Sequence, residues 1–479
     1  RCRMTQLIWL RSDLRTSDNT ALASAMAAGP TVAVYLITPG QWLAHDDAAC
    51  KVDFWLRNLV ELAGRLQALN VPLLIRDVEE WQAAPDALLK LCQELAVQRL
   101  HYNGEYGVNE QRRDHAVAAR LRAAGIDVRG YLDQLLFAPG SVLTQSGGYF
   151  KVFGQFRRAC LARLSMSLPA CVAPPAPQQP MTVASDVPPD EVRGFDRPSN
   201  YLRTLWPAGE TFAQHRLTAF IEDDLHQYHQ RRDLPAEPGT SQLSAYLAAG
   251  VISIRQCLHA AVASNRGELD SGSAGATTWI NELLWREFYK HILVGYPRVS
   301  MHRAFRAETE ALPWRRATDE LQAWQEGRTG FPIIDAAMRQ LRETGWMHNR
   351  LRMVTAMFLS KNLLIDWREG ERWFMRHLID GDLAANNGGW QWSASTGTDS
   401  VPYFRLFNPI SQSQRFDPDG QFLRRWLPEL QGLGKREIHN PSAQRSLFGK
   451  ADYPAPIIDL GESRARALDA FRNLPDVRP

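Results

Sequence analysis

Four short apolar runs stand early in the chain: Gln6–Leu10 (QLIWL), Thr31–Thr38 (TVAVYLIT), Pro72–Asp77 (PLLIRD) and Arg99–Asn103 (RLHYN). Each is brief and rich in β-branched or aromatic residues, which reads as a buried strand. Between them the apolar positions recur at helical spacing, as in FWLRNLVELAGRLQAL and NEQRRDHAVAARLRAAG. This alternation predicts a doubly wound parallel sheet, a Rossmann-like α/β domain over residues 1–135. Beyond Trp206 the strand-like runs stop. TTWINELLWREFYKHIL, FPIIDAAMRQLRETG and HNRLRMVTAMFLSKNLLIDW predict long helices, hence a large all-α domain over residues 206–479. A connector over 136–205 is Pro-rich at 171–200, where seven of the 28 prolines fall.

Composition narrows this picture little. Hydrophobic residues make up 45% and charged residues 22%, as in ordinary globular proteins. No apolar run is long enough for a membrane helix, and the N-terminus does not read as a signal peptide. Met4 is expected near the natural start, with Arg1–Arg3 as extra residues. The six cysteines form no CxxC pair or metal-ligand spacing, so a reduced, cytoplasmic protein without bound metal is expected. A net charge of +3 says little about partners. Ten of the 15 tryptophans lie at or beyond Trp279, which hints at aromatic-lined pockets in the helical part. No GxGxxG follows the first strand, where the text is WLRSDLRTSDNTAL, so no dinucleotide is expected at that position.

Several segments could carry chemistry. In TTWINELLWREFYKHIL one helical face collects Trp279, Glu282, Trp285, Arg286 and Tyr289, while Ile280, Leu284 and Phe288 form an apolar docking face. The mixed face suits a half-wet cavity receiving planar polar groups; a local Glu282–Arg286 pair would also account for it. Asn349, Arg352, Met353 and Ala356 share one face of another helix, and Arg352 needs a partner if buried, such as Asp380 or Asp382. GTSQLSAYLAAG reads as a short helix capped by Thr240 or Ser241 and stopped by Gly250. Asp380–Asp399, DGDLAANNGGWQWSASTGTD, looks like a turn, yet it carries Trp390 and Trp392. His101 and His348 lack metal-ligand companions and read as ordinary polar or core residues.

Together WINELLWREFYKHI, TGFPIIDAAMRQLRETGWMHNRLRMVTAMFL and DWREGERWFMRHLIDGDLAANNGGWQWSASTGTD resemble the DNA photolyase/cryptochrome family, in particular its bacterial folate-type class I cyclobutane pyrimidine dimer photolyases. The likeness spans the chain. It implies FAD in the helical domain, held by Tyr228, Thr240, Ser241, Gln242, Leu243, Ser244, Trp279, Asn349, Arg352, Asp380 and Asp382, with Asn386 at the flavin N5 edge. It implies light-driven repair of a dimer flipped out of double- or single-stranded DNA, with electron transfer from excited reduced FAD. Glu282 would then bond the dimer, Trp285 and Trp392 would wall it, and Arg286, Asn349 and Met353 would lie near it. Arg232, Arg350 and Arg405 would meet phosphates. Trp390, Trp367 and Trp314 would carry electrons to oxidised flavin. An antenna pigment would sit on His45, Asn109 and Glu110.

The antenna implied is 5,10-methenyltetrahydrofolate. Ser300-Met301 stands where the folate type can show Cys-Lys, which keeps a deazaflavin antenna open. A monomer without metal is expected. Three rivals remain at this stage. One is a cryptochrome light receptor, against which Asn386 speaks because plant receptors tend to carry Asp there. Another is a (6-4) photolyase, against which WMHNR offers a single histidine. The third is a light-independent module stacking DNA bases on tryptophan.

Overall fold

Strands that are apolar on both faces must be covered on both faces, which is the situation of a parallel sheet. The computed structural model describes residues 4–444 and 452–475. Arg1–Arg3, Cys2 among them, therefore lie outside the described residues. By its contacts the chain divides into two units. The first holds the residues up to His226 together with Ser241–Pro297 and Ile379–Gly381; the second holds Gln227–Thr240, Arg298–Leu378 and the chain from Asp382 on.

In the first unit β1 (Thr5–Leu10), β2 (Thr31–Ile37), β3 (Leu73–Asp77), β4 (Val97–Asn103) and β5 (Asp127–Tyr131) form a parallel sheet in the order β3-β2-β1-β4-β5. Leu7 pairs with Val32 on one side and Leu100 on the other, and all three are fully buried. The four strands read from the sequence are present. β5 was missed: DVRGY is short, charged and glycine-bearing. Pairing with β4 makes it a strand, supported by an Arg99–Asp127 ion pair at 2.6 Å.

The strand order reverses between β1 and β4, where doubly wound sheets commonly bind ligands. Here polar side chains fill that point. Arg11 donates to Asp114 Oδ1 at 2.6 Å and to the Asn103 carbonyl at 2.5 Å, and Asn103 Nδ2 donates to Asp13 Oδ2 at 2.7 Å. Burial pushes the Asp13 carboxyl up to about 6. Burial would raise Glu105 too, but Arg113 and Arg11 overcome it and hold that carboxyl at about 2. The Pro-rich stretch has no regular structure but is pinned. Gln178 bonds Thr31 through both amide atoms, and Asp186 N donates to the Leu73 carbonyl at 2.8 Å.

The helix Ala274–Gly295 also belongs to the first unit. Gly275 is needed near its start, because a Cβ there would lie 2.0 Å from the Leu225 carbonyl oxygen. Lower down, the fully buried Glu287 accepts from the Leu136 and Phe137 backbone N–H groups at 2.9 and 3.0 Å.

The regular elements among the second unit's described residues are helices, packed around a core of Trp324, Leu351, Phe358, Trp367, Phe374 and Trp390. Two expectations are corrected here. The single long helix read from HNRLRMVTAMFLSKNLLIDW is broken: Asn349–Met357 runs into a π turn at Phe358–Asn362, and Leu364 takes a left-handed φ of 48°. A new helix, Trp367–His377, starts from the side chain of Asp366. The Asn-Asn-Gly-Gly run is no turn either. It lies inside the helix Leu383–Ala394, whose start Asp382 caps by accepting from Ala385 N at 3.1 Å.

Candidate functional site

In the first unit, the helix within GTSQLSAYLAAG is Ser244–Ala248, so Thr240 and Ser241 are not its caps. Gln242 has a left-handed φ of 52°, which keeps helical geometry from starting earlier. Gly250 ends the segment as expected, with a φ of 68°. Ser244 Oγ donates to Asp380 Oδ2 at 2.6 Å. The buried Lys51 pairs with Asp47 at 2.6 Å and donates to the Gly381 carbonyl at 2.9 Å. Asp380–Gly381 is thus fixed from two sides, one of them a lysine that the sequence reading did not single out.

The two faces of Ala274–Gly295 are those read from the sequence. Ile280, Leu284 and Phe288 are fully buried, while Glu282, Trp285, Arg286 and Tyr289 are half-buried. Trp279 is buried with its ring 5.0 Å from that of Phe220. Trp285 stacks on Phe153 at 3.9 Å, which holds its indole in one orientation. Arg286 donates to the Gln134 carbonyl at 2.9 Å.

His45, Asn109 and Glu110 also fall in this unit. The His45 Nε2 lies 3.0 Å from Asn109 Nδ2, and its ring meets Trp81 edge-on at 4.8 Å. Glu110 folds against Gly107, where an added Cβ would meet Oε2 at 2.0 Å. Burial pushes the Glu110 carboxyl up to about 7.

In the second unit, Tyr228 is buried and the Arg232 guanidinium lies 5.3 Å from its ring centre. Thr240 is half-buried and Asn349 exposed. Arg350 pairs with Asp233 at 3.2 Å and lies over Phe416 at 4.5 Å. Arg352 donates to the Met347 carbonyl at 2.6 Å, and Met353 beside it is half-buried. His348 caps this helix by accepting at Nδ1 from Arg350 N, so the ring proton sits on Nε2. That Nε2 is buried, and burial pushes the imidazole down to about 4. Arg405 is exposed, and its carbonyl accepts from the buried Lys361 at 2.9 Å.

Residues two apart on a helix point about 200° apart. Trp390 and Trp392 differ accordingly. Trp390 is 2% exposed, its ring 4.9 Å from Phe374 and 5.8 Å from Trp324. Trp392 is half-buried. Trp367 is buried with Trp390 in the same core, and Trp314 packs against that core from its partly buried rim.

Asn386 lies one turn before Trp390. Its Nδ2 donates to the Glu371 carbonyl at 2.9 Å. A carbonyl only accepts, so the amide orientation is determined and Oδ1 is the atom Asn386 offers a ligand. Behind it runs a set of polar groups that the sequence reading missed: Glu371, Asn387, Gln391 and His302. The signal was present in DWREGERWF. Trp367, Gly370, Glu371 and Phe374 share one helical face, and a carboxylate stands out on that apolar stripe.

Against known proteins, residues 279–473 match the family model described as the FAD binding domain of DNA photolyase, and residues 6–179 match that described as DNA photolyase. The chain is 45% identical to the deoxyribodipyrimidine photo-lyase of Escherichia coli over 98% of both chains. Among solved structures it resembles a bacterial class III photolyase from Agrobacterium tumefaciens, with a TM-score of 0.87 and 35% identity, covering 98% of this chain and 97% of that one. It also resembles a cryptochrome from Synechocystis, with a TM-score of 0.85 and 27% identity, covering 97% and 99%.

Proposed function

The chain belongs to the DNA photolyase family, and from that premise we propose that it repairs cyclobutane pyrimidine dimers in DNA with light. The observation that carries this reading is the 45% identity, over nearly the full length of both chains, to a relative named deoxyribodipyrimidine photo-lyase. The likeness to a cryptochrome is at 27% identity, which gives the receptor reading less support.

The residues fit FAD. Asn386 offers an acceptor oxygen of settled orientation, which suits a ring N–H. The hydroxyls of Thr240 and Ser241 are donors suited to a pyrophosphate, and Ser244 and Arg352 belong to the same proposed binding set. Gln242, Leu243, Tyr228, Trp279, Asn349, Asp380 and Asp382 complete the proposed binding set. When bound and reduced, FAD supplies on illumination the electron that opens the dimer and takes it back afterwards. The chain's own residues prepare that event. Glu282 hydrogen-bonds the base edge of the dimer. Trp285, its ring fixed by Phe153, and Trp392 exclude water from the base faces. Arg286, Asn349 and Met353 are the further residues proposed to contact the dimer, and Arg232, Arg350 and Arg405 take backbone phosphates, which position without reading sequence. Trp390, Trp367 and Trp314 return the cofactor to its working state by passing electrons inward.

The reading extends to an antenna pigment, 5,10-methenyltetrahydrofolate, on His45, Asn109 and Glu110 in the α/β domain of residues 1–135. A deazaflavin is the alternative, since Ser300-Met301 replaces the expected Cys-Lys. Residues 136–205 then act as connector and 206–479 as the catalytic domain of a cytoplasmic monomer. Among the described residues no helix is long and apolar enough to cross a membrane. The test is to mix reduced protein with a dimer-containing oligonucleotide, in light and in darkness. Intact thymines should return in light alone; equal yields in both would end this reading.

A further inference from the structure

Glu371 is buried within the second unit, its side chain 3% exposed, yet it contacts a group that reaches solvent. Its Oε1 lies 2.5 Å from His302 Nδ1, and the His302 side chain is 53% exposed. Its Oε2 accepts from Asn387 Nδ2 at 2.6 Å. Asn387 Oδ1 in turn accepts from Gln391 Nε2 at 2.9 Å, and Gln391 Oε1 accepts from Phe305 N at 2.9 Å. The backbone N–H of Phe305 only donates, so every amide in this chain is directed one way, toward an accepting carboxylate. The same residue's carbonyl sets the amide of Asn386. One buried acidic residue thus holds the proposed cofactor contact and faces a solvent-exposed imidazole.

We propose that His302 and Glu371 form a redox-linked protonation site: reduction of the flavin bound at Asn386 draws one proton from water onto His302. The inference rests on the flavin reading given above. The electron comes from an added reductant, dithionite in the test, which is oxidised. The proton adds to the ring nitrogen that carries no hydrogen, forming one N–H bond and leaving hydroxide to the buffer, and the pair changes from net −1 to neutral. The physical reason is linkage. Extra negative charge on the ring favours the protonated pair, so protonating the pair must equally favour reduction.

Arg368 donates to the His302 carbonyl at 2.7 Å and is itself held by Glu310 and Asp366, while Arg303 and Arg372 flank the pair in sequence. Imidazole is the one side-chain type in this set that ordinarily changes charge between about pH 5 and 8.

Spectroelectrochemical titration of the full-length FAD-loaded protein, from about pH 5 to about pH 8, tests this. The midpoint potential of the wild type should fall with pH more steeply than that of His302→Gln, which keeps a polar surface side chain but cannot take up a proton. Glu371→Gln is the second variant. Its amide can still accept from Asn387 and donate to a neutral His302 Nδ1, so the hydrogen-bond chain survives without the charge. It should raise the potential at the alkaline end and flatten the profile. Equal pH slopes in the wild type and both variants, with flavin bound in all three, would overturn the protonation site and leave the flavin reading intact. A protein that binds no flavin would overturn both.

Discussion

At the scale of single residues, two carboxylates on the first unit make contrasting claims. Glu282 is half-buried on a mixed helical face, a position from which it can reach a ligand without first being stripped of water. A hydrogen bond to a charged group contributes about 1.5–3 kcal/mol, so Glu282→Ala should lower the repair yield per photon roughly tenfold to hundredfold. Flavin content, read from the absorption of the purified variant, should stay near that of the wild type; loss of flavin would give Glu282 a structural role instead. Glu110 is half-buried too, but its carboxyl is perturbed. Its carboxyl is raised by burial from 4.5 to about 7. The unfolded chain releases this proton near pH 4.5 and the folded chain near pH 7. Stability is therefore greatest below pH 4.5 and falls as pH rises between those two values, by up to roughly 3 kcal/mol. Glu110→Gln should remove that loss, so its melting temperature should exceed that of the wild type at about pH 8 and match it near pH 4. Equal melting curves at both ends would mean the carboxyl ionises without cost.

At the scale of elements, the packing of the helix Leu383–Ala394 shows where a glycine is needed and where it is not. A Cβ on Gly370, in the neighbouring helix Trp367–His377, would lie 2.0 Å from Cη2 of Trp390. Gly370→Ala should therefore overpack this contact, destabilise the protein by about 1–3 kcal/mol and displace the Trp390 ring. Gly389 meets nothing within 4 Å and has no left-handed φ, so Gly389→Ala should stabilise the flavin-free protein by up to about 1 kcal/mol. Chemical denaturation of the two variants separates the cases; stabilisation by Gly370→Ala would show that the ring has room to move. The same helix marks where sequence reading stops. Asn-Asn-Gly-Gly has the composition of a turn, and tertiary burial of Asn386, Asn387 and Trp390 makes it helical instead. β1 to β4 and the two-faced helix Ala274–Gly295 were legible because their apolar periodicity is strong. β5, the π turn after Met357 and the late start at Ser244 were not. Their causes are a pairing partner, a local ladder slip and one left-handed residue, Gln242, none of which leaves a periodic trace. The link from Asn386 to Glu371 and His302 joins separate helices and loops, so no local pattern announces it.

At the scale of the whole molecule, a net charge of +3 is too small to draw DNA by itself, so affinity must come from where particular arginines stand. Each phosphate neutralised releases a counterion, and the logarithm of the binding constant falls with the logarithm of salt by about 0.9 per contact on duplex DNA. Three contacts, as proposed for Arg232, Arg350 and Arg405, would give a slope of roughly −2.7. The three differ in what they give up on binding. Arg405 is exposed, whereas Arg350 already holds Asp233 at 3.2 Å and must loosen that pair to take a phosphate. Arg405→Ala should flatten the slope by about 1, and Arg350→Ala by less. Anisotropy titrations of a dimer-containing duplex over a salt series measure these slopes, with an undamaged duplex as reference. Because phosphate contacts carry no lesion information, Arg405→Ala should weaken both duplexes alike and leave their affinity ratio unchanged. A change in that ratio would place Arg405 at the lesion itself, and an unchanged slope would remove it from the DNA surface.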